Sequence, residues 1–219
     1  MDPSTESKTL NLLRATPTPN IADALSRLNV KGVQCEGLVP LTPFADPHKH
    51  VAGPAVTARF LPSRHTGRED KQPKFMEIIR NAPRGSVIVF EGASISQLAT
   101  EIAVRVGLEA GVCDTATRDI DEVIELKFPV FCPFGRIGAK TESYLTTMEC
   151  VQVNEPIHMG LHGDPYHYWL GAQVRPRDVI VGDNNGVLVI PREVLDKIPE
   201  AIREVQATEE SMRKVGRQT

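Results

Sequence analysis

The chain has 219 residues, 41% of them hydrophobic and 24% charged, proportions that allow a buried core and exclude wholesale disorder. A formal net charge of −3 and the lack of any dense Lys/Arg cluster argue against nucleic acid as the main partner. Apolar runs such as Val87-Ile88-Val89-Phe90 fall far below membrane-spanning length, and a polar, Pro-rich opening is unlike a signal peptide.

No internal period repeats, so one domain is expected. Residues 1–19 read as a loose N-terminal arm punctuated by Thr16-Pro17-Thr18-Pro19. The first firm helix is predicted over 20–28, with Asn20 as N-cap and Ile21, Leu25 and Leu28 on its apolar face. Residues 32–47 are irregular, 51–61 alternate as a strand entered through Gly53-Pro54, and 63–74 form a polar loop. A short helix over 75–81 ends at the turn Ala82-Pro83-Arg84-Gly85.

At the centre, a buried strand over 86–90, a helix over 95–106 and a strand over 111–115 make a parallel crossover unit. Leu98, Ile102 and Val106 mark the apolar face of that helix. A helix over 119–127, with Ile120, Val123, Ile124 and Phe128 apolar, precedes a strand over 129–133. Strands over 150–157, 172–174, 179–181 and 186–190 follow, separated by Gly, Pro and Asp-Asn turns. A charged helix from 192 to about 215 closes the pattern, with Pro199 starting its main part or kinking it. The expected class is α/β: one domain over 20–191 with mixed sheets and helices, preceded by the arm and followed by a C-terminal helix over 192–219.

Cys35, Cys113, Cys132 and Cys150 stand singly with no C-x-x-C pair, which excludes zinc-ribbon and thioredoxin-like readings. Buried, reduced thiols in a reducing, cytoplasmic compartment are the expectation.

Four segments stand out, three of them with residues that could carry chemistry. Asp114-Thr115-Ala116-Thr117-Arg118-Asp119 lies between a strand end and a helix start, where ligands collect in parallel units. Arg118 offers a planar fork for a carboxylate; Asp119 could hold a divalent cation, or simply cap the next helix. Gly92-Ala93-Ser94-Ile95-Ser96-Gln97-Leu98 enters the other central helix with small residues, leaving N–H groups for an anion or an ordinary Ser cap. Both loops should open on one edge of the sheet. The stretch over 158–169 contains His158, His162 and His167 with Tyr166, Tyr168 and Trp169; no helical ligand spacing is present, and a subunit contact or substrate mouth suits it better than a metal. Asp183-Asn184-Asn185-Gly186 between β-branched runs is a hairpin with Gly186 at positive φ and no assigned chemistry.

Taken together these segments resemble the RraA-like family, which includes 4-hydroxy-4-methyl-2-oxoglutarate aldolases, oxaloacetate decarboxylases and the RNase E regulator RraA. The resemblance rests on Ile21-Ala22-Asp23-Ala24-Leu25, Val51-Ala-Gly-Pro-Ala-Val-Thr57, Pro83-Arg-Gly-Ser-Val-Ile-Val89, Asp114-x-Ala116-x-Arg118-Asp119 and Gly182-Asp-Asn-Asn-Gly-Val-Leu-Val-Ile-Pro191. They occur in the family's order from about residue 14 to 215.

The resemblance implies a β/β/α swivelling fold assembled as homotrimers or homohexamers with sites between subunits. It also implies that Arg118 binds the oxo-acid end of a small 2-oxo acid, that Asp119 helps hold Mg2+ or Mn2+, and that the amides of Ser96, Gln97 and Leu98 receive a carboxylate. The reaction implied is C–C cleavage, by retro-aldol chemistry or decarboxylation, leaving a pyruvate enolate. Three positions depart from the family pattern: Gln97 replaces an acidic residue, Thr115 replaces Gly, and Pro191-Arg192-Glu193-Val194 lacks a terminal His. Glu193 is the residue expected to reach a neighbouring subunit's site. A non-catalytic, protein-binding regulator is the alternative, supported by Gln97 and Val194. A specialised enzyme with a bulkier substrate walled by 158–169 is a third.

Overall fold

A computed structural model describes residues 2–46, 48–64, 72–133, 148–160 and 171–216. Two helices come first, α1 (Pro3–Arg14) and α2 (Thr18–Arg27). The arm expected over 1–19 is therefore largely helical: Asp2 accepts the N–H groups of Ser4 and Thr5 as an N-cap, Pro3 suits the first turn, and Leu13 is fully buried. Helix α2 begins at Thr18, so Asn20 is not its cap. The capping acceptor comes from far along the chain: Asp183 takes the Thr18 N–H and hydroxyl, each at 2.8 Å.

The remaining elements are β1 (Leu38–Pro40), β2 (Val51–Pro62), α3 (Gln72–Asn81), β3 (Val87–Glu91), α4 (Gln97–Val106), β4 (Ala110–Cys113), α5 (Ile120–Glu125), β5 (Val130–Pro133) and β6 (Met148–Val153). They continue with β7 (Ile157–Met159), β8 (Ala172–Val174), β9 (Val179–Asp183), β10 (Gly186–Ile190), a 3-10 turn (Arg192–Val194) and α6 (Ile198–Gly216). Pro199 thus starts the last helix rather than kinking it. The strand expected over 150–157 is two, since β6 ends before β7 begins.

The main sheet runs β1-β5-β4-β3-β2-β9-β10, with β6 also on β2. Strands β2 to β5 pair in parallel in the order β2-β3-β4-β5; the other pairings are antiparallel. The sheet curls almost shut: Gln34 bridges Leu188 and the Cys35 N–H reaches the Val187 carbonyl, just before β1 joins the opposite edge. Inside the curl, Val87, Val89, Val112, Phe131, Ile180 and Val189 form one core, plugged by Ile157, Met159, Ala172 and Val174 of the β7–β8 ribbon. Outside it, α3, α4 and α5 cover one stretch of sheet, where Phe60, Phe75 and Phe90 meet ring to ring. Helices α1, α2 and α6 cover another, around Leu13, Ile21, Leu25, Ile190 and Ile202. This is the mixed α/β single domain expected. Among the described residues no helix is long and apolar enough to cross a membrane.

One apolar face was misplaced. Leu98 is 50% exposed, and α4 rests on the sheet through Ala99, Ile102 and Ala103. The small side chains let the helix approach closely, so the larger Leu98 on the same period is left outside. In α5 Val123 is buried but Ile124 faces out.

Candidate active site

Strands β3 and β4 lie side by side in parallel, so the loops after Glu91 and Cys113 leave the same edge of the sheet, as expected. Three hydrogen bonds stitch these loops, each joining residues 22 positions apart. The buried Asp114 accepts the Gly92 N–H at 2.7 Å, the Thr117 hydroxyl donates to the Ile95 carbonyl at 2.6 Å, and Asp119 accepts the Gln97 N–H at 3.4 Å. Only glycine fits at position 92: φ is +81° and a Cβ would lie 2.2 Å from the Phe60 carbonyl oxygen.

Asp119 occupies the N-cap position of α5, yet its side chain makes no capping bond there. Its backbone takes the left-handed conformation (φ 58°, ψ 44°), which Asp tolerates better than most L-residues. The carboxylate is thereby set toward the α4 start, and Arg118 Nε donates to it at 3.0 Å. Arg118 and Asp119 keep 35% and 28% of their side-chain surface exposed, so both are open to a solute.

At the start of α4, Ser96 takes the N-cap position without a side-chain bond, and the Gln97 amide faces the Asp119 loop. The Gln97 side chain runs along the helix instead, its amide nitrogen donating to Glu101 Oε1 at 2.9 Å. Leu98 projects outward. On the same edge of the sheet, Arg59 Nε donates to Glu91 Oε2 at 2.7 Å, and the His158 N–H also donates to that oxygen, at 3.1 Å. The structure thus brings Ser96, Gln97, Arg118 and Asp119 together and adds Thr117, Glu91 and Glu101, which sequence reasoning passed over. The available signals were that Thr117 lies inside the segment 114–119 and that Glu101 stands one helical turn after Gln97.

Glu193 is elsewhere. It follows β10, whose end pairs through Val179 with Pro54, beside the start of β3, so within one chain it stands at the opposite edge from Arg118. Its carboxylate is 3.8 Å from Arg175. Of the stretch over 158–169, His158 to Gly160 are described and the remainder lies outside the described residues. Thr115 keeps a buried hydroxyl with no hydrogen-bond partner among the described residues.

Burial pushes the thiol of Cys35 up to about 12 and that of Cys132 to about 11, and the Cys113 thiol well above its ordinary value. The four cysteines are unpaired, as expected. No group of three or more His, Cys, Asp or Glu side chains suited to a metal is present among the described residues. A caged metal is therefore not built from them. Mg2+ commonly needs only one or two carboxylates, with water and substrate oxygens completing its shell, and a partly exposed Asp119 fits that kind of holding.

A sequence model of RraA-like proteins, described as Aldolase/RraA, matches residues 18–189. Protein DlpA of Legionella pneumophila is 28% identical over 219 residues, 95% of this chain, while this chain spans only 32% of DlpA. A Halalkalibacterium halodurans protein named "Putative 4-hydroxy-4-methyl-2-oxoglutarate aldolase" is 28% identical over 207 residues, 90% of this chain and 83% of that protein. Among solved structures, a Streptomyces coelicolor protein described as an unusual member of the RNase ES inhibitor RraA protein family superposes with a TM-score of 0.71. The match covers 94% of this chain and 96% of that one at 19% identity, a likeness of fold.

Proposed function

The chain belongs to the RraA-like (Aldolase/RraA) family, and from that premise we propose that it is a divalent-metal-dependent lyase that breaks a C–C bond of a small 2-oxo acid. The observation carrying this reading is the convergence of Arg118, Asp119 and the α4 start on one sheet edge, tied by the Gln97–Asp119 contact at 3.4 Å. A family that includes aldolases and RNase E regulators allows either function; a paired guanidinium and carboxylate beside helix amides favours the first.

Asp119 would hold Mg2+ or Mn2+, which when bound supplies Lewis acidity at the 2-oxo group. Arg118 anchors the substrate carboxylate and, as a fixed cation, stabilises negative charge that builds as the bond breaks. The first-turn amides of α4, at Ser96, Gln97 and Leu98, receive the second carboxylate. With oxaloacetate the C3–C4 bond breaks, its electron pair passes toward the 2-oxo group, CO2 leaves, and a proton added at C3 gives pyruvate. The Thr117 and Asp114 bonds between the loops hold the geometry without touching substrate. Glu193 enters only if a second copy of the chain, in a homotrimer or homohexamer, places it across the site.

The test offers oxaloacetate and 4-hydroxy-4-methyl-2-oxoglutarate with Mg2+ or Mn2+ and measures pyruvate release by wild type, Arg118→Ala and Asp119→Ala. Release that both substitutions and a chelator abolish supports the lyase; release indifferent to them, or none, removes it. A second reading, a non-catalytic regulator acting by protein contact, is favoured by Gln97, whose side chain is turned to Glu101 and supplies no carboxylate.

A further inference from the structure

Thr117 immediately precedes Arg118 and is fully buried, at 0% exposure. Its hydroxyl donates to the Ile95 carbonyl at 2.6 Å. Of the three bonds that stitch the two loops, this one alone is made wholly in the interior; those from Gly92 to Asp114 and from Gln97 to Asp119 are partly open. Packing alone does not call for a hydroxyl at such a position, since valine has nearly the same shape. Burying one costs desolvation that only its hydrogen bond offsets, so the bond to Ile95 is what threonine adds here.

The Ile95 carbonyl belongs to the same peptide unit as the Ser96 nitrogen, and among the described residues every peptide bond is trans. A trans peptide is planar, with its C=O and N–H pointing in opposite directions. Pinning the Ile95 oxygen to the buried Thr117 hydroxyl therefore turns the Ser96 N–H the other way, out of the interior. Ser96 itself is partly exposed, and its side chain makes no capping bond. Among the described residues the Ser96 and Leu98 N–H groups have no acceptor, whereas the Gln97 N–H is drawn to Asp119 at 3.4 Å. Thr117 thus stands between two anchors: along the chain it leads into the Arg118 guanidinium, and across its hydrogen bond it sets the direction of the first amide of the α4 start.

We propose that Thr117 is a positioning residue that makes the candidate site select a dicarboxylate: its hydroxyl aims the Ser96 N–H at the second carboxylate of the substrate while Arg118 takes the first. This rests on the reading of the site given above and adds the residue that fixes the relation between its two anchors. An ionised acceptor bonds an N–H about twice as strongly as a neutral one, so an oxo acid without the second carboxylate gains little from the aimed amide. Thr117 touches no substrate and acts only through the Ile95 carbonyl.

Calorimetric titration of the full chain with Mg2+ present compares 2-oxoglutarate with 2-oxopentanoate, acids of one chain length that differ in the second carboxylate. Wild type should bind 2-oxoglutarate about tenfold more tightly. Thr117→Val, β-branched and nearly equal in volume, should narrow that preference to within about twofold while changing 2-oxopentanoate binding little. Thr117→Ser, which keeps the hydroxyl, should hold the preference at about fivefold or more. Absence of saturable binding overturns the proposal, as does a wild type without the preference or a preference that survives in Thr117→Val. Equal loss in Thr117→Ser and Thr117→Val also overturns it, because packing would then be the cause. Melting curves come first, and Thr117→Ala replaces Thr117→Val if the latter does not fold. Pyruvate release is measured separately: its absence in wild type removes the lyase reading, while the dicarboxylate preference still decides the role of Thr117.

Discussion

The backbone amide of Gln97 and the carboxylate of Asp119 stand 3.4 Å apart, one in the first turn of α4 and the other at the N-cap position of α5. Two consecutive β–α loops are thus locked at the point where the cation Arg118 also meets Asp119. Whatever binds there meets both loops at once.

Gln97→Glu returns an acidic side chain to the start of α4. Mn2+ should bind at least about fivefold more tightly, because hard carboxylate oxygens are the donors such ions favour. The same change sets a carboxylate against Glu101, to which Gln97 now donates at 2.9 Å, and should cost about 0.3 to 0.5 kcal/mol of stability. Metal titration and urea unfolding of the two proteins measure both; unchanged Mn2+ affinity would count against Asp119 as a ligand.

Asp119 separates folding from chemistry. Asn shares the tolerance of Asp for the left-handed conformation, so Asp119→Asn should leave stability within about 0.5 kcal/mol while metal-dependent pyruvate release falls about 100-fold or more. Asp119→Val, β-branched at φ 58°, should lose about 1 to 2 kcal/mol in addition. Thermal unfolding beside the pyruvate assay distinguishes the two effects.

Acid should loosen the packing of α1 before the centre of the fold. The two-pronged bond from Arg192, chiefly, holds the Glu6 carboxyl below its ordinary 4.5. A lowered folded value means that the stabilisation is complete above 4.5 and is lost as pH falls through the lower value in the folded chain. Wild type should exceed Glu6→Gln by about 1 kcal/mol near pH 7, a modest figure because both groups are partly exposed. Urea unfolding from pH 7 to 3 should show the difference shrinking; a constant difference would contradict the assignment.

The thiols report on burial. With Cys35, Cys113 and Cys132 enclosed and their pKa values raised, a disulfide reagent at pH 8 should modify at most the half-buried Cys150 in the native chain, and all four after denaturation. Rapid native modification of two or more would show that the sheet interior opens readily.

The crossover unit was legible because local patterns fixed it: apolar β-branched runs at Val87-Ile88-Val89 and a helical period between two strands place both loops on one edge without further knowledge. The position of Arg118 and Asp119 on that edge was legible for the same reason, as was the hairpin, where Gly186 has a φ of +132°. Long-range relations were not. No local rule places Asp183 at the head of α2, and Thr18 was passed over for Asn20, a good cap residue with no capping role here. The helix α1 was missed although Asp2 and Pro3 form a proper start, because its exposed positions are polar and its burial depends on partners near residues 179–205. Leu98 was misplaced because period alone cannot say that a helix will rest on its alanines.

The core around Leu13, Ile21 and Leu25 is completed only by Val179, Ile190 and Ile202, and the bond heading α2 spans 165 positions. During synthesis, these early apolar side chains must therefore wait, uncovered, while nearly all of the intervening chain leaves the ribosome. A nascent chain halted near residue 170 would already contain the whole crossover unit, with both loops of the candidate site, yet would still present an adhesive α2. The late-made hairpin and the helix that follows it together are thus what turn a chain vulnerable to aggregation into one that can be released.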